Sequence, residues 1–324
     1  MIIKNKRILL TGGGGFIGSK LAEILSYDNE LLIYDLFIRD SLKYKSINKK
    51  NVKLVKGDIC SFEPLRKAAE NFKPQIAVHL AAVAGVDTVI HNPVKTMEVN
   101  ILGTFNFVRA IEKYSSKLER VLNFSTSEVF GRYTYKLDET HTTDLMPVGE
   151  ARWTYSVSKL AAEHLVHSYN IKHKLKTVTI RPFNIYGEGQ VGEGAIHTFV
   201  TRALTNEPLF IQGDGDQIRS WCYISDMIEG ILLCMENPYA IGEIFNIGNP
   251  RGTTTINMLA YLIKMITKSS SIIQNVPRDH VDVEIRIPSI SKAMKLIGYK
   301  PRIDIMEGLQ RTVSWYREEM TRDV

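Results

Sequence analysis

Arg7-Ile8-Leu9-Leu10-Thr11-Gly12-Gly13-Gly14-Gly15-Phe16-Ile17-Gly18 decides the fold. A short apolar run leads into four consecutive glycines, and the segment from Phe16 to Leu25 reads as a helix. In a strand–loop–helix unit of this kind, Gly12 permits a tight turn. Gly15 lets the backbone approach a pyrophosphate, and Gly18 lets the helix pack close to the strand. The helix N-terminus then turns its free amides toward the phosphates. The alternative is a glycine-rich turn with no ligand, and the strand before it and the helix after it argue against that.

The same alternation continues outward. Leu31–Tyr34 ends in Asp35, Val52–Val55 in Gly57-Asp58, and Ile76–Leu80 in Ala81-Ala82. Val121–Phe124 ends in Ser125, and Thr177–Ile180 in Arg181-Pro182. Helical patterns fall near Val94–Tyr114 and Tyr155–His173. Short apolar strands alternating with helices predict an α/β fold, a Rossmann-type doubly wound parallel sheet covered on both faces. Ligands in such sheets sit beyond the carboxyl ends of the strands. After Arg181 the pattern turns irregular, with helical stretches near 195–205, 226–235 and 255–266. Strand-like pieces lie near Phe210, Trp221–Ile224 and Ile244–Ile247, and Ser269-Ser270-Ser271 reads as a loop. The expected division is a dinucleotide-binding domain over 1–180, with segments near 220–248 partly returning to it, and a smaller C-terminal lobe over 181–324.

The chain has 324 residues, 44% of them apolar, enough for a large core. A formal charge of +6 reads as solubility plus some attraction for anionic ligands. The lysines between Lys43 and Lys56 carry no interleaved aromatics, and no nucleic-acid motif accompanies them, so a solvated face is expected rather than a nucleic-acid partner. Cys60, Cys222 and Cys234 have no metal-binding spacing, and no apolar run approaches membrane-spanning length. His164 and His167 lie on a predicted helix without a third ligand, and no metal set emerges. These features place the chain in the cytoplasm by expectation, away from membranes.

Arg152-Trp153-Thr154-Tyr155-Ser156-Val157-Ser158-Lys159 supplies the chemistry. Tyr155 and Lys159, four residues apart, share one helix face. A nearby ammonium favours the phenolate, which makes the tyrosine a base for an alcohol proton while a hydride leaves the same carbon. An exposed, solvated Tyr–Lys pair is the plain alternative; the dinucleotide loop and Ser125-Thr126-Ser127-Glu128 give the pair a setting. Asp35 stands where a carboxylate binds the adenosine ribose, which favours NAD over NADP, although Arg39 lies close by. Asp58 is read as an adenine contact or as a turn residue.

Thr11–Gly18, His79-Leu80-Ala81-Ala82, Ser125–Gly131, Tyr155–Lys159 and Arg181-Pro182-Phe183-Asn184 together resemble the extended short-chain dehydrogenase/reductases. More narrowly, they resemble the NAD-dependent nucleotide-sugar epimerase/dehydratase family. The resemblance implies a tightly held NAD against Gly12, Gly15, Phe16, Ile17, Gly18, Asp35, Asp58, Ile59, Leu80, Ala81, Ala82 and Lys159. It implies a nucleotide-sugar substrate, with a UDP-sugar favoured, and a homodimer built from the helices near Val94–Tyr114 and Tyr155–His173. Tyr155, Lys159, Thr126 and Glu128 take the catalytic positions, and Ser127, Asn184 and Arg219 the substrate positions. Ser127 replaces the Asp of dTDP-glucose dehydratases, whereas Glu128 is kept. That pattern, with Arg152-Trp153 before the tyrosine, resembles UDP-glucuronate decarboxylases. The expected reaction oxidises C4 of a nucleotide-linked uronate, which turns its carboxylate into a β-keto acid that loses carbon dioxide. The rivals are 4,6-dehydration with Glu128 removing the C5 proton, 4-epimerisation, and an NAD-binding regulator without chemistry. Each residue also has a plain structural role available: an ion pair or helix start for Glu128, a surface position for Arg219 and a turn for Asn184.

Overall fold

The computed structural model describes residues 3–114 and 116–322. Its centre is a seven-stranded, all-parallel sheet. In spatial order the strands are Ile244–Ile247, Thr177–Pro182, Arg120–Phe124, Ile76–His79, Arg7–Thr11, Glu30–Asp35 and Val52–Lys56. Alternate residues feed two cores. Ile8, Leu10, Ile33 and Val78 face one side, where Phe16–Leu25 packs with Ile224–Glu236. Leu9, Leu32, Ala77 and Val121 face the other, where Phe62–Phe72 packs on Gly103–Glu112. Burial on both faces explains why these strands are mostly apolar runs, with the edge strand Val52–Lys56 the exception: it is largely exposed and carries Lys53 and Lys56. Strand order reverses between Arg7–Thr11 and Ile76–His79, so a crevice opens beyond Thr11 and His79.

The helix expected near Val94–Tyr114 is present but not continuous. Pro93–Met97 is α-helical, Glu98–Leu102 widens into a π-helical turn, and Gly103–Glu112 is α-helical again. The widened turn presents Asn100, whose Oδ1 accepts the Val83 amide at 2.8 Å and whose Nδ2 donates to Val83 O at 3.1 Å and to Ser158 Oγ at 3.0 Å. A π-bulge therefore ties the loop after Ile76–His79 to the helix Thr154–His173 that bears Tyr155 and Lys159. The helix Phe62–Phe72 escapes sequence reading because Pro64 interrupts its pattern, yet proline is tolerated in a first turn.

The irregular second half contains a four-stranded sheet ordered Thr253–Thr255, Ile218–Ser220, Ile285–Pro288 and Tyr133–Leu137. Its strands are three to five residues long, too short for a periodic signal. Parallel pairing of Ile218–Ser220 with Ile285–Pro288 sets Arg219 directly beside Arg286. Among the described residues, no helix is long and apolar enough to cross a membrane.

Candidate active site

A cleft of about 590 Å³ lies over the carboxyl ends of the central strands. Gly12, Gly15, Phe16, Ile17 and Gly18 line it, with Asp35, Asp58, Ile59, Leu80, Ala81, Ala82, Tyr155 and Lys159. At two of its glycines the loop has no room for a side chain. A Cβ at Gly12 would stand 2.4 Å from Ala81 N, and the residue's φ is +72°; a Cβ at Gly18 would stand 2.5 Å from Gly12 O. A Cβ on Gly15 would meet only Gly12 O, at 3.4 Å, so that glycine is turned to the open cleft. Asp35 accepts the Gly14 amide at Oδ2 and the Phe37 amide at Oδ1, both at 2.8 Å. These bonds hold its carboxylate at the cleft wall. Asp58 accepts the Cys60 amide at 2.8 Å, the local turn bond of a residue that also lines the cleft. Ser125 adds a buried hydroxyl with no hydrogen-bond partner to the same wall. A Cβ-free cradle, a carboxylate at the end of the second strand and an unpaired hydroxyl suit a dinucleotide.

His79 does not take part. Its Nδ1 is 2.7 Å from Thr11 Oγ1, its Nε2 3.0 Å from Thr104 Oγ1, and its ring stacks on Phe107 at 4.6 Å. Burial and the Lys159 charge bring its pKa down to about 3, so it is a neutral strut.

Lys159 points inward from the helix and donates to Phe124 O at 2.7 Å. Burial lowers its ammonium to about 8, against a partial restoring pull from Glu163. Tyr155 differs from the sequence expectation. Burial and then the Glu128 charge push its hydroxyl well above the ordinary tyrosine range, against a hydrogen bond with Thr126 and the charges of Arg286 and Arg152. The free chain thus holds a protonated phenol, and the lysine charge alone does not make a phenolate.

Beside Tyr155 lies a buried ionic network. Thr126 caps the short turn Ser127–Phe130 by accepting the Glu128 amide at 3.2 Å, which turns the Glu128 carboxylate inward; Ser127 is buried in the same turn. Glu128 Oε2 meets Arg152 Nη1 at 2.5 Å, and its Oε1 lies 3.5 Å from Arg286 Nη2. Asp282 joins Arg152 and Arg219, each at 3.1 Å. Arg219 also donates to Val283 O at 2.6 Å, and Asn184 Oδ1 accepts Arg286 Nη1 at 3.3 Å. Burial alone would raise the Glu128 carboxyl, but Arg152 and Arg286 together outweigh it and hold it ionised. The arginines stand against Glu128 and Asp282, so one positive charge is left over. Arg286 Nε and Nη2 and Arg152 Nε are buried without a hydrogen-bond acceptor.

The glycine loop, Asp35, Asp58, Ile59, Leu80, Ala81, Ala82, Tyr155 and Lys159 line the cleft, while Glu128, Asn184 and Arg219 join the ionic network beside Tyr155. Sequence reasoning missed Asp282 and Arg286, and it noticed Arg152 only as a flank. No local signal could have found Arg286, because Ile285-Arg286-Ile287 alternates as an ordinary half-buried strand does.

The comparisons agree with this geometry. Residues 8–248 match the NAD dependent epimerase/dehydratase family. The chain is 36% identical to UDP-glucuronic acid decarboxylase 6 of Arabidopsis thaliana, over 94% of this chain and 87% of that protein. It is 32% identical to UDP-N-acetyl-alpha-D-glucosaminuronate decarboxylase of Bacillus cytotoxicus, over 97% and 98% of the two chains. The crystal structure of UDP-glucuronic acid 4-epimerase from Bacillus cereus, solved with UDP-glucuronic acid and NAD, superposes with a TM-score of 0.85 at 28% identity. That match covers 97% of this chain and 99% of that one. Cradle, strand order and full-length likeness lead to one conclusion: the chain is an NAD-dependent enzyme and belongs to the NAD dependent epimerase/dehydratase family.

Proposed function

We propose that this protein decarboxylates a UDP-linked uronate, UDP-glucuronate first among candidates. The observation that carries the reading is the set of unpaired donors on Arg286 beside Tyr155, in a buried network with one excess positive charge. An anionic sugar carboxylate would supply the missing acceptor and the missing charge. When bound, NAD supplies the acceptor for the C4 hydride and later its donor. Tyr155, hydrogen-bonded with Thr126, takes the proton of the C4 hydroxyl as its phenolate, after its own proton has left to solvent; the positive charge of bound NAD would favour that loss. Lys159 lines the cleft and orients the nicotinamide ribose. With C4 at the ketone level, the C5–C6 bond breaks, its electron pair passes into the enolate of the ketone, and carbon dioxide leaves. C5 then takes a proton.

Glu128 supports decarboxylation over dehydration. A 4,6-dehydratase needs a base for the C5 proton, and a carboxylate gripped at both oxygens by Arg152 and Arg286 is a weak one. Loss of carbon dioxide requires no such base. In this reading Glu128 orients the arginines, Ser127 and Asn184 line the sugar, and Arg219 serves the diphosphate or carboxylate. The same reading assigns residues 1–180, with returning segments near 220–248, to NAD, and the remainder of 181–324 to the sugar nucleotide. It places the enzyme in the cytoplasm as a homodimer. Val94, Leu102, Phe105 and Ile171 are exposed apolar residues on the helices that would meet a second copy.

The test is carbon dioxide release from UDP-glucuronate labelled at C6, run beside UDP-N-acetylglucosaminuronate. Release from the first supports the proposal, and release from the second alone would change the sugar but keep the chemistry. Label retained in UDP-galacturonate would make the enzyme a 4-epimerase. Water lost from a neutral hexose nucleotide, with no reaction of either uronate, would make it a dehydratase.

A further inference from the structure

The segment Gly187-Glu188-Gly189-Gln190-Val191-Gly192-Glu193-Gly194 has no part in the chemistry above, yet Gln190, Val191 and Glu193 form part of the cleft wall. It leaves the central sheet after Thr177–Pro182 and passes in front of the cofactor loops as a strap. Its first half is stapled down. Ser41 Oγ donates to Gly189 O at 2.9 Å, Tyr223 OH to Glu188 Oε1 at 2.7 Å and Tyr316 OH to Gln190 O at 2.7 Å. Its far end is held by Glu193. That carboxylate accepts the Asp87 amide at 2.8 Å, the Thr88 amide at 3.0 Å and the Thr88 hydroxyl, and it lies 3.8 Å from Arg39 Nη2. The close approach is built into the backbone. A Cβ on Gly85 would stand 2.6 Å from the Glu193 carboxyl carbon, and one on Gly192 would stand 2.8 Å from Arg39 Nη1.

We infer that Glu193 is a positioning residue that latches this strap and so retains NAD. The cofactor's way out of the cleft lies past the strap, because Arg39, Gly85 and Thr88 on one wall are joined to Glu193 on the other. The staples at Glu188, Gly189 and Gln190 hold one end of the strap permanently. Between those staples and the buried first turn of the helix Ala195–Leu204, the strap is fastened by one partly exposed carboxylate, and this short span is what opens. The latch also engages Arg39, which donates to Thr88 Oγ1 at 3.1 Å instead of reaching for a ribose phosphate.

The experiment follows labelled NAD leaving the purified, NAD-loaded protein after addition of excess unlabelled NAD. Its readout is nucleotide release, so it stands or falls independently of which sugar nucleotide is turned over. Glu193→Ala should release NAD roughly tenfold or more faster than wild type, because it deletes several charge-assisted hydrogen bonds. Glu193→Gln should fall between them. Thr88→Val removes only the hydroxyl and should accelerate release roughly threefold. Glu207→Gln, on an exposed side chain away from the cleft, should release at the wild-type rate. Wild-type release rates in both Glu193→Gln and Thr88→Val, with circular dichroism unchanged, would overturn the latch. These two milder variants decide the matter even if Glu193→Ala does not fold.

Discussion

Glu128→Gln tests the ionic network at its centre. Glutamine keeps the shape of the side chain and removes the charge. Arg152 and Arg286 then lose the carboxylate now held at 2.5 and 3.5 Å, and Asp282 alone must balance the buried arginines. The network is almost closed to water, with the Arg152 side chain 4% exposed and that of Glu128 12% exposed. Removing one member of such a buried pair costs about 3–5 kcal/mol, because the remaining charge stays buried and uncompensated. A chain of 324 residues unfolds with an entropy of about 0.7 kcal/mol per kelvin. The melting temperature at pH 7 should therefore fall by about 4–7 °C. The arginines hold the Glu128 pKa below its unfolded value. Its contribution is therefore complete above the unfolded carboxyl pKa of about 4.3 and is lost as the pH falls through the folded value. The gap between variant and wild type should narrow in acid. Calorimetric melting at both pH values, with equal NAD loading, measures this. A melting temperature equal to wild type at pH 7, or a gap that does not narrow in acid, would refute the reasoning. The same variant should lower the Tyr155 pKa, since Glu128 helps to raise it, and should move the rising limb of kcat/KM to lower pH.

Tyr155→Phe should keep the fold and the bound NAD and lose roughly two to four powers of ten in C4 oxidation, read as reduction of bound NAD by the sugar nucleotide. Asp35→Ala should weaken NAD binding in a titration, because it removes the carboxylate at the end of the second strand; tighter binding of NADP than of NAD by the wild-type protein would contradict the assignment. Arg219→Ala should depress turnover strongly, while Arg219→Lys should restore only part of it, since an ammonium lacks the second terminal nitrogen with which Arg219 Nη1 reaches Ile218 O and Glu284 O while Nη2 bonds Asp282 and Val283 O.

The two halves of the chain were not equally legible. The strands Arg7–Thr11, Glu30–Asp35, Ile76–His79 and Arg120–Phe124 announce themselves because each is buried on both faces and is mostly apolar, whereas the edge strand Val52–Lys56 is largely exposed and alternates with lysine. The π-turn at Glu98–Leu102 gives no such signal, because widening a helix by one residue leaves its composition unchanged. The strands Ile218–Ser220 and Ile285–Pro288 are too short for periodicity, and their meaning lies in their pairing.

Sequence by itself determined the cofactor end of this protein. A turn too tight for a Cβ at Gly12 and Gly18, a carboxylate at the end of the next strand and a Tyr–Lys pair one helical turn apart are local constraints, and each is written within a few residues. Tertiary structure alone decided the ionic network proposed to meet the substrate. Arg152, Arg219 and Arg286 come from distant parts of the chain and meet Glu128 and Asp282 only because a small sheet sets two of them side by side. Tertiary structure also decided the protonation states: burial raises Tyr155 and lowers Lys159, and desolvation is a property of the folded interior that neighbouring letters do not encode.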